Sequence, residues 1–154
     1  MTGVEASLTV TPVGVGAAFA RVGEAQSCYL VRGGDTAVCL DLGAGALNNL
    51  QRYMAPEQLD AIVISHLHAD HCVDLFALRV YLAFGLGGAT RVRVIGPPGL
   101  AERFSVFAGG DDWGEAFAIE SLNPAGGELV VGGLTVRYTP VPHSGLTFAL
   151  RCDG

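Results

Sequence analysis

Apolar residues along this chain recur with two periods, and the alternation between them divides it into short strands and short helices. Ser7 to Thr11 alternates and is β-branched, which reads as a strand, and the glycine-rich loop Val13-Gly14-Val15-Gly16-Ala17 follows. Ser27 to Arg32 and Thr36 to Leu42 are the next strands, joined by the turn Gly33-Gly34-Asp35. The period then lengthens: Leu47, Leu50 and Met54 mark one face of a helix over Ala46 to Tyr53, with Pro56 just beyond it. Ala61-Ile62-Val63-Ile64 is an unbroken apolar run of strand length, the pattern of a strand buried on both faces. Helical spacing returns from Asp74 to Phe84, with Leu75, Leu78 and Leu82 as its buried stripe. Arg91 to Ile95 is a strand stopped by Gly96-Pro97-Pro98, and Gly99 to Phe107 is helical. The remainder reads as hairpins: Glu128 to Val131, a Gly132-Gly133 turn, Leu134 to Val141, and a last strand from Leu146 to Cys152. Strands and helices intermix, which predicts an α/β fold with a mixed sheet and flanking helices.

Composition adds bounds. The 154 residues fit one domain, and with 50% hydrophobic and 16% charged residues the chain is globular and core-rich. A net charge of −6 argues against generic nucleic-acid binding, which needs a basic face. Arg79, Arg91, Arg93 and Arg103 make no basic stripe and read as surface charges. No apolar run reaches the roughly 20 residues of a bilayer span, and no basic-then-apolar leader is visible, so the expectation is a cytoplasmic protein with no membrane partner. The four cysteines, Cys28, Cys39, Cys72 and Cys152, form no CxxC pair and read as small apolar residues in a reducing compartment.

The candidate chemistry sits at the end of the buried run. Three of the four histidines fall in Ser65-His66-Leu67-His68-Ala69-Asp70-His71, and the fourth, His143, follows a strand pattern stiffened by Pro140 and Pro142. Imidazoles with a carboxylate among them are what a transition-metal site requires. His66 and His68, two apart in an extended segment, project to one side and can share an ion. Asp70 and His71, after the chain turns, can face a second, and His143 can complete the first from across the sheet. Two ions about 3.5–4 Å apart would generate hydroxide from a bound water at neutral pH. Asp70 is also placed to hold or deprotonate that water. The glycine loop at 13–17 could offer amides to a phosphate, but a plain strand-to-strand turn is the simpler reading. Trp113 reads as an ordinary partly buried aromatic.

The run Ser65 to His71 resembles the HxHxDH signature of the metallo-β-lactamase superfamily, and His143 resembles that family's next metal histidine. The opening strand and glycine loop and the Leu40-Asp41-Leu42-Gly43 phrase before a helix are similar as well. The resemblance implies the first half of an αββα sandwich. It implies His66, His68 and His143 on a first ion, Asp70 and His71 on a second, and Asp41 orienting a ligand histidine. The ions would be one or two zinc, with manganese as the alternative. The phrase His-Leu-His-Ala-Asp-His-Cys-Val-Asp-Leu resembles most the ribonuclease Z and phosphodiesterase branch, whose substrates are tRNA precursors or cyclic nucleotides. The expectation is therefore a metal-dependent phosphodiesterase; a thioester or lactam hydrolase, or a non-catalytic metal-binding and dimerisation fragment, are the alternatives. The family's bridging aspartate and final histidine have no counterpart after His143. Residues 1–154 are accordingly expected to be one C-terminally truncated domain, forming a homodimer to cover an exposed inner sheet face.

Overall fold

The apolar run at 61–64 sits at the centre of the molecule because its alternate side chains serve two different cores. The computed structural model describes residues 7–19, 21–110 and 113–154. Six strands form one sheet in the order β1 (Thr9–Gly14), β2 (Cys28–Gly33), β3 (Thr36–Leu40), β4 (Ala61–Val63), β5 (Val92–Gly96) and β6 (Phe117–Ser121). The first three are antiparallel neighbours, and β3 through β6 run parallel, so the sheet is mixed. A second, antiparallel sheet consists of β7 (Gly127–Val131), β8 (Leu134–Val141) and β9 (Thr147–Asp153).

On one face of the large sheet Cys39, Ile62 and Ile64 pack under the helices α1 (Ala46–Leu50), α3 (Leu75–Val80) and α4 (Leu100–Phe107), through Leu50, Leu78 and Phe104 among others. On the other face Val31, Val38, Val63 and Ile95 meet Leu134, Val136, Tyr138 and Phe148 of the small sheet. This corrects one expectation: the inner face is not left bare, because β7–β9 already supply part of the opposing sheet over its central strands. The outer side of that small sheet is charged, with Arg137 paired to Glu128 and Asp153.

Helix boundaries differ from the sequence pattern in two places. The helix expected over 46–53 ends at Leu50 and continues only as hydrogen-bonded turns to Met54. The one expected over 74–84 starts sooner and is broken. A short turn of helix, α2 (Ala69–Cys72), follows His68 directly; α3 comes next, and Tyr81–Gly85 widens into a π-turn with Leu86 N donating to Tyr81 O. Strand β6 was not legible, since only Phe117 and Ile119 in it turn toward the core. Arg79 is buried rather than on the surface, bound to Glu115 at 2.7 Å with its guanidinium over the Trp113 ring. Trp113 itself is 5% exposed, more buried than expected. The loop expected at 13–17 starts later than the sequence pattern, because Val13 and Gly14 close β1, where a Cβ on Gly14 would lie 1.9 Å from the Gln26 carbonyl oxygen.

Candidate metal centre

Two chain ends converge at the top of the large sheet, one leaving β3 and one leaving β4. Asp41, the first residue after β3, has φ +62, the sole positive φ among the described non-glycine residues. That conformation aims its buried carboxylate at the neighbouring segment. Asp41 Oδ1 accepts the Ser65 backbone N–H at 2.8 Å, and Oδ2 accepts the hydroxyls of Ser65 and Ser27, each at 3.0 Å. Oδ2 also faces His71 Nδ1 at 2.6 Å. Gly43 allows this close approach, since a Cβ there would be 2.0 Å from the Asp70 carbonyl oxygen, and Leu42 N donates to His71 O at 2.7 Å.

Proton accounting then fixes which ring nitrogens face inward. A carboxylate only accepts, so His71 Nδ1 carries the proton toward Asp41 and its Nε2 is turned toward Asp70 Oδ2, 3.3 Å away. The Ser65 hydroxyl gives its proton to Asp41 and so accepts from His66 Nδ1 at 3.1 Å, leaving His66 Nε2 with a bare lone pair. That Nε2 lies 3.1 Å from His68 Nδ1, and His143 Nε2 lies 3.3 Å from the same atom. One proton on His68 Nδ1 can be given fully to only one of them. Ser144 Oγ sits 3.2 Å from the other His68 nitrogen, Nε2.

His66, His68 and His143 thus bring three nitrogens within 4.8 Å of one another. Donors at the zinc–nitrogen distance of about 2.0–2.1 Å in a tetrahedron lie about 3.4 Å apart, close to the spacing of both His68 contacts. The donor set fits a borderline divalent ion, and His143 is the exposed member of the three. Asp70 and His71 form an adjacent pair, the His71 and His66 ring centres being 4.0 Å apart.

His143 reaches the others through the second sheet. It lies in the β8–β9 connection, and Phe148 N at the start of β9 donates to Ser65 O at 3.0 Å, tying that hairpin to the ligand loop. Arg103 of α4, expected as a plain surface charge, binds the Leu67 carbonyl at 2.7 Å and stands at the rim of the site. Sequence reasoning assigned no role to Ser27, Ser65 or Arg103. Ser65 alone had a signal, standing between the buried strand and the first histidine.

Burial pushes the His66 imidazole down to about 4, helped by the facing His71 and His68 rings, so it is neutral near pH 7. Burial also opposes charge on His71, but the hydrogen bond and charge of Asp41, with Asp70 added, outweigh it and raise that ring above its usual range. Cys72 is pushed up to about 12, chiefly by burial, and its thiol points to the His68 carbonyl at 3.1 Å, so it offers no thiolate.

Residues 21–149 match the family model described as the metallo-beta-lactamase superfamily. The chain belongs to that superfamily. Within it, the chain is 38% identical over 87 residues to the probable metallo-hydrolase YhfI of Bacillus subtilis, covering 54% of this chain and 36% of YhfI. The crystal structure of YhfI superimposes with a TM-score of 0.81 at 27% identity, over 95% of this chain and 57% of that one. Ribonuclease Z of Halorubrum lacusprofundi is 30% identical over 139 residues, 89% of this chain and 44% of that protein. The short form of human tRNase Z shares the fold with a TM-score of 0.73 at 19% identity, over 94% of this chain and 64% of that one. The chain spans about half the length or less of these curated superfamily relatives.

Proposed function

We propose that this chain is a metal-dependent phosphodiesterase acting on an RNA 3′ end or a cyclic nucleotide. The observation that carries the reading is the set of three imidazole nitrogens at 3.1 and 3.3 Å spacing, one of them deprived of its proton by the Ser65–Asp41 relay. Likeness to ribonuclease Z over 89% of the chain supports the phosphodiester as substrate. In this reading His66, His68 and His143 hold one divalent ion, zinc or else manganese, and Asp70 and His71 contribute to a second. An ion there lowers the pKa of a water from about 15.7 to near 7 and draws charge from a phosphoryl oxygen. The chain's own residues do the rest. Asp70 Oδ2 takes the proton of the attacking water, and Asp41 and Ser65 keep His71 and His66 in the required tautomers. The P–O bond to the leaving oxygen breaks as the new P–O bond forms, and that oxygen departs with the proton that Asp70 took up.

Turnover of bis(p-nitrophenyl) phosphate with zinc or manganese tests this. His66→Ala should abolish it, and Asp70→Ala should lower it by about 10²-fold or more. Equal rates in all three proteins contradict the proposal. A second reading, a non-catalytic metal-binding module, is favoured by one observation: among the described residues a single group offers three converging donors. Elemental analysis separates the two, since two ions per chain supports the enzyme and one supports the module. The free thiols, with the Cys28 thiol donating to Cys39 Sγ at 3.9 Å, support a reducing compartment such as the cytoplasm. No helix of the described residues is long and apolar enough to cross a membrane.

A further inference from the structure

We infer that the apolar cavity beside the histidine cluster seats a planar ring of nucleobase size belonging to the substrate, with Arg103 standing between that ring and the phosphate. The inference rests on the phosphodiesterase reading and adds the part of the substrate that is not cleaved.

The cavity measures about 300 Å³, at the small end of ligand pockets, and Leu67, Val73, Phe76, Phe104 and Phe107 form its apolar wall. Phe76 is the hub of that wall, its ring centre 4.4 Å from those of both Phe104 and Phe107. Phe104 is buried and belongs to the core, but Phe107, on the last turn of α4, is 77% exposed. A phenyl ring left in water at the mouth of an aromatic-walled cavity contributes little to the fold and is placed to stack on an entering ring.

The cavity adjoins the candidate metal centre. Leu67, His68 and Arg103 also line a second space of about 210 Å³ that His66 and Ser144 border. A ligand with its phosphate in the second space and a flat apolar group in the first therefore passes Arg103. Among the described residues it is the one charged side chain on the apolar cavity's wall, and it borders both spaces. On a chain of net charge −6, attraction of a phosphate has to be local, and Arg103 supplies it where the two spaces adjoin. A second sugar or a peptide would find few polar partners in the first space; a planar ring needs none. Stacking on phenyl faces does not read base edges, so the expected preference is for having a base, with little preference among bases.

The test uses binding, so that it stands apart from turnover. The full chain loaded with zinc is titrated with AMP, UMP and ribose 5-phosphate by calorimetry, and the emission of Trp113, the sole tryptophan, is followed in parallel. Its ring lies 5.1 Å from Phe76 and 5.2 Å from Phe104, close enough to report a ring entering the cavity. AMP and UMP should each bind at least about tenfold tighter than ribose 5-phosphate and change the emission. Phe107→Ala, at an exposed position that leaves the core intact, should remove that advantage while ribose 5-phosphate binds as before. Arg103→Gln should weaken all three ligands. Equal affinity for AMP and ribose 5-phosphate, no AMP binding at millimolar concentration, or an advantage that survives Phe107→Ala overturns the inference. Base-dependent binding in a protein that cleaves no phosphodiester would instead sink the enzymatic reading and leave the cavity's assignment standing.

Discussion

Asp41 is held in a backbone conformation that costs an ordinary residue about 1–3 kcal/mol, and its carboxylate makes four polar contacts in return. Removing its charge while keeping its shape isolates what those contacts do. Asp41→Asn should weaken metal binding about 10–100-fold, measured by competition with a chromophoric chelator, because the amide removes the charge facing His71 and turns one of the two accepting oxygens into a donor. An unchanged affinity would show that Asp41 merely closes the loop. Ser65→Ala should also weaken the ion while Ser65→Thr, which keeps the hydroxyl, should largely restore it. Gly43 makes a steric demand of a different kind. Its absent Cβ would overlap the Asp70 carbonyl, so Gly43→Ala should shift the ligand loop and destabilise the fold by about 1–3 kcal/mol in urea unfolding.

At the scale of elements, helix α1 depends on a side chain that is distant in sequence. Asp74 Oδ2 accepts the Leu47 N–H at 2.9 Å and so caps α1 from the chain that follows α2. Burial raises the Asp74 pKa above its usual value, against the lowering effect of the Leu47, Gly45 and Ala46 amides. A raised carboxyl pKa means that the folded state holds the proton more firmly than the unfolded chain. Its stabilising contribution is complete below the unfolded pKa and is lost as the pH rises through the folded value. Asp74→Asn keeps the acceptor and removes the charge, so it should flatten that part of the stability–pH curve and cost little at neutral pH. Asp74→Ala should cost about 1 kcal/mol by thermal unfolding. The strands were largely legible because their periodicity is local: β4 announces itself by four consecutive apolar residues serving two cores. Helix ends and β6 were not, because Asp74's cap, the Tyr81–Gly85 widening and the pairing of β6 with β5 are set by partners elsewhere in the chain. The site divides in the same way. The convergence of His66, His68 and His143 could be read from a six-residue cluster and a strand-end histidine, while Ser27 and Arg103 carry no local pattern at all.

For the molecule as a whole, the small sheet has two duties, covering the inner face of the large one and delivering His143. The two sheets meet through Leu134, fully buried against Gly33, and Leu134→Ala should cost about 2–5 kcal/mol, read from urea unfolding. A bound ion would then clamp the two sheets together at the opposite end. Zinc at about a hundred times its dissociation constant should stabilise the chain by about 2.7 kcal/mol, a rise in Tm of roughly 5–10 °C that EDTA reverses and His143→Ala largely removes. The central claim is that one cation is gripped jointly by the 66–68 segment and the 142–146 connection. An anomalous difference map at the zinc edge, from zinc-soaked crystals, tests it most directly. The expected result is a peak about 2.1 Å from His66 Nε2, His68 Nδ1 and His143 Nε2 together. A map with no peak there, or with zinc held only at other side chains, would contradict it.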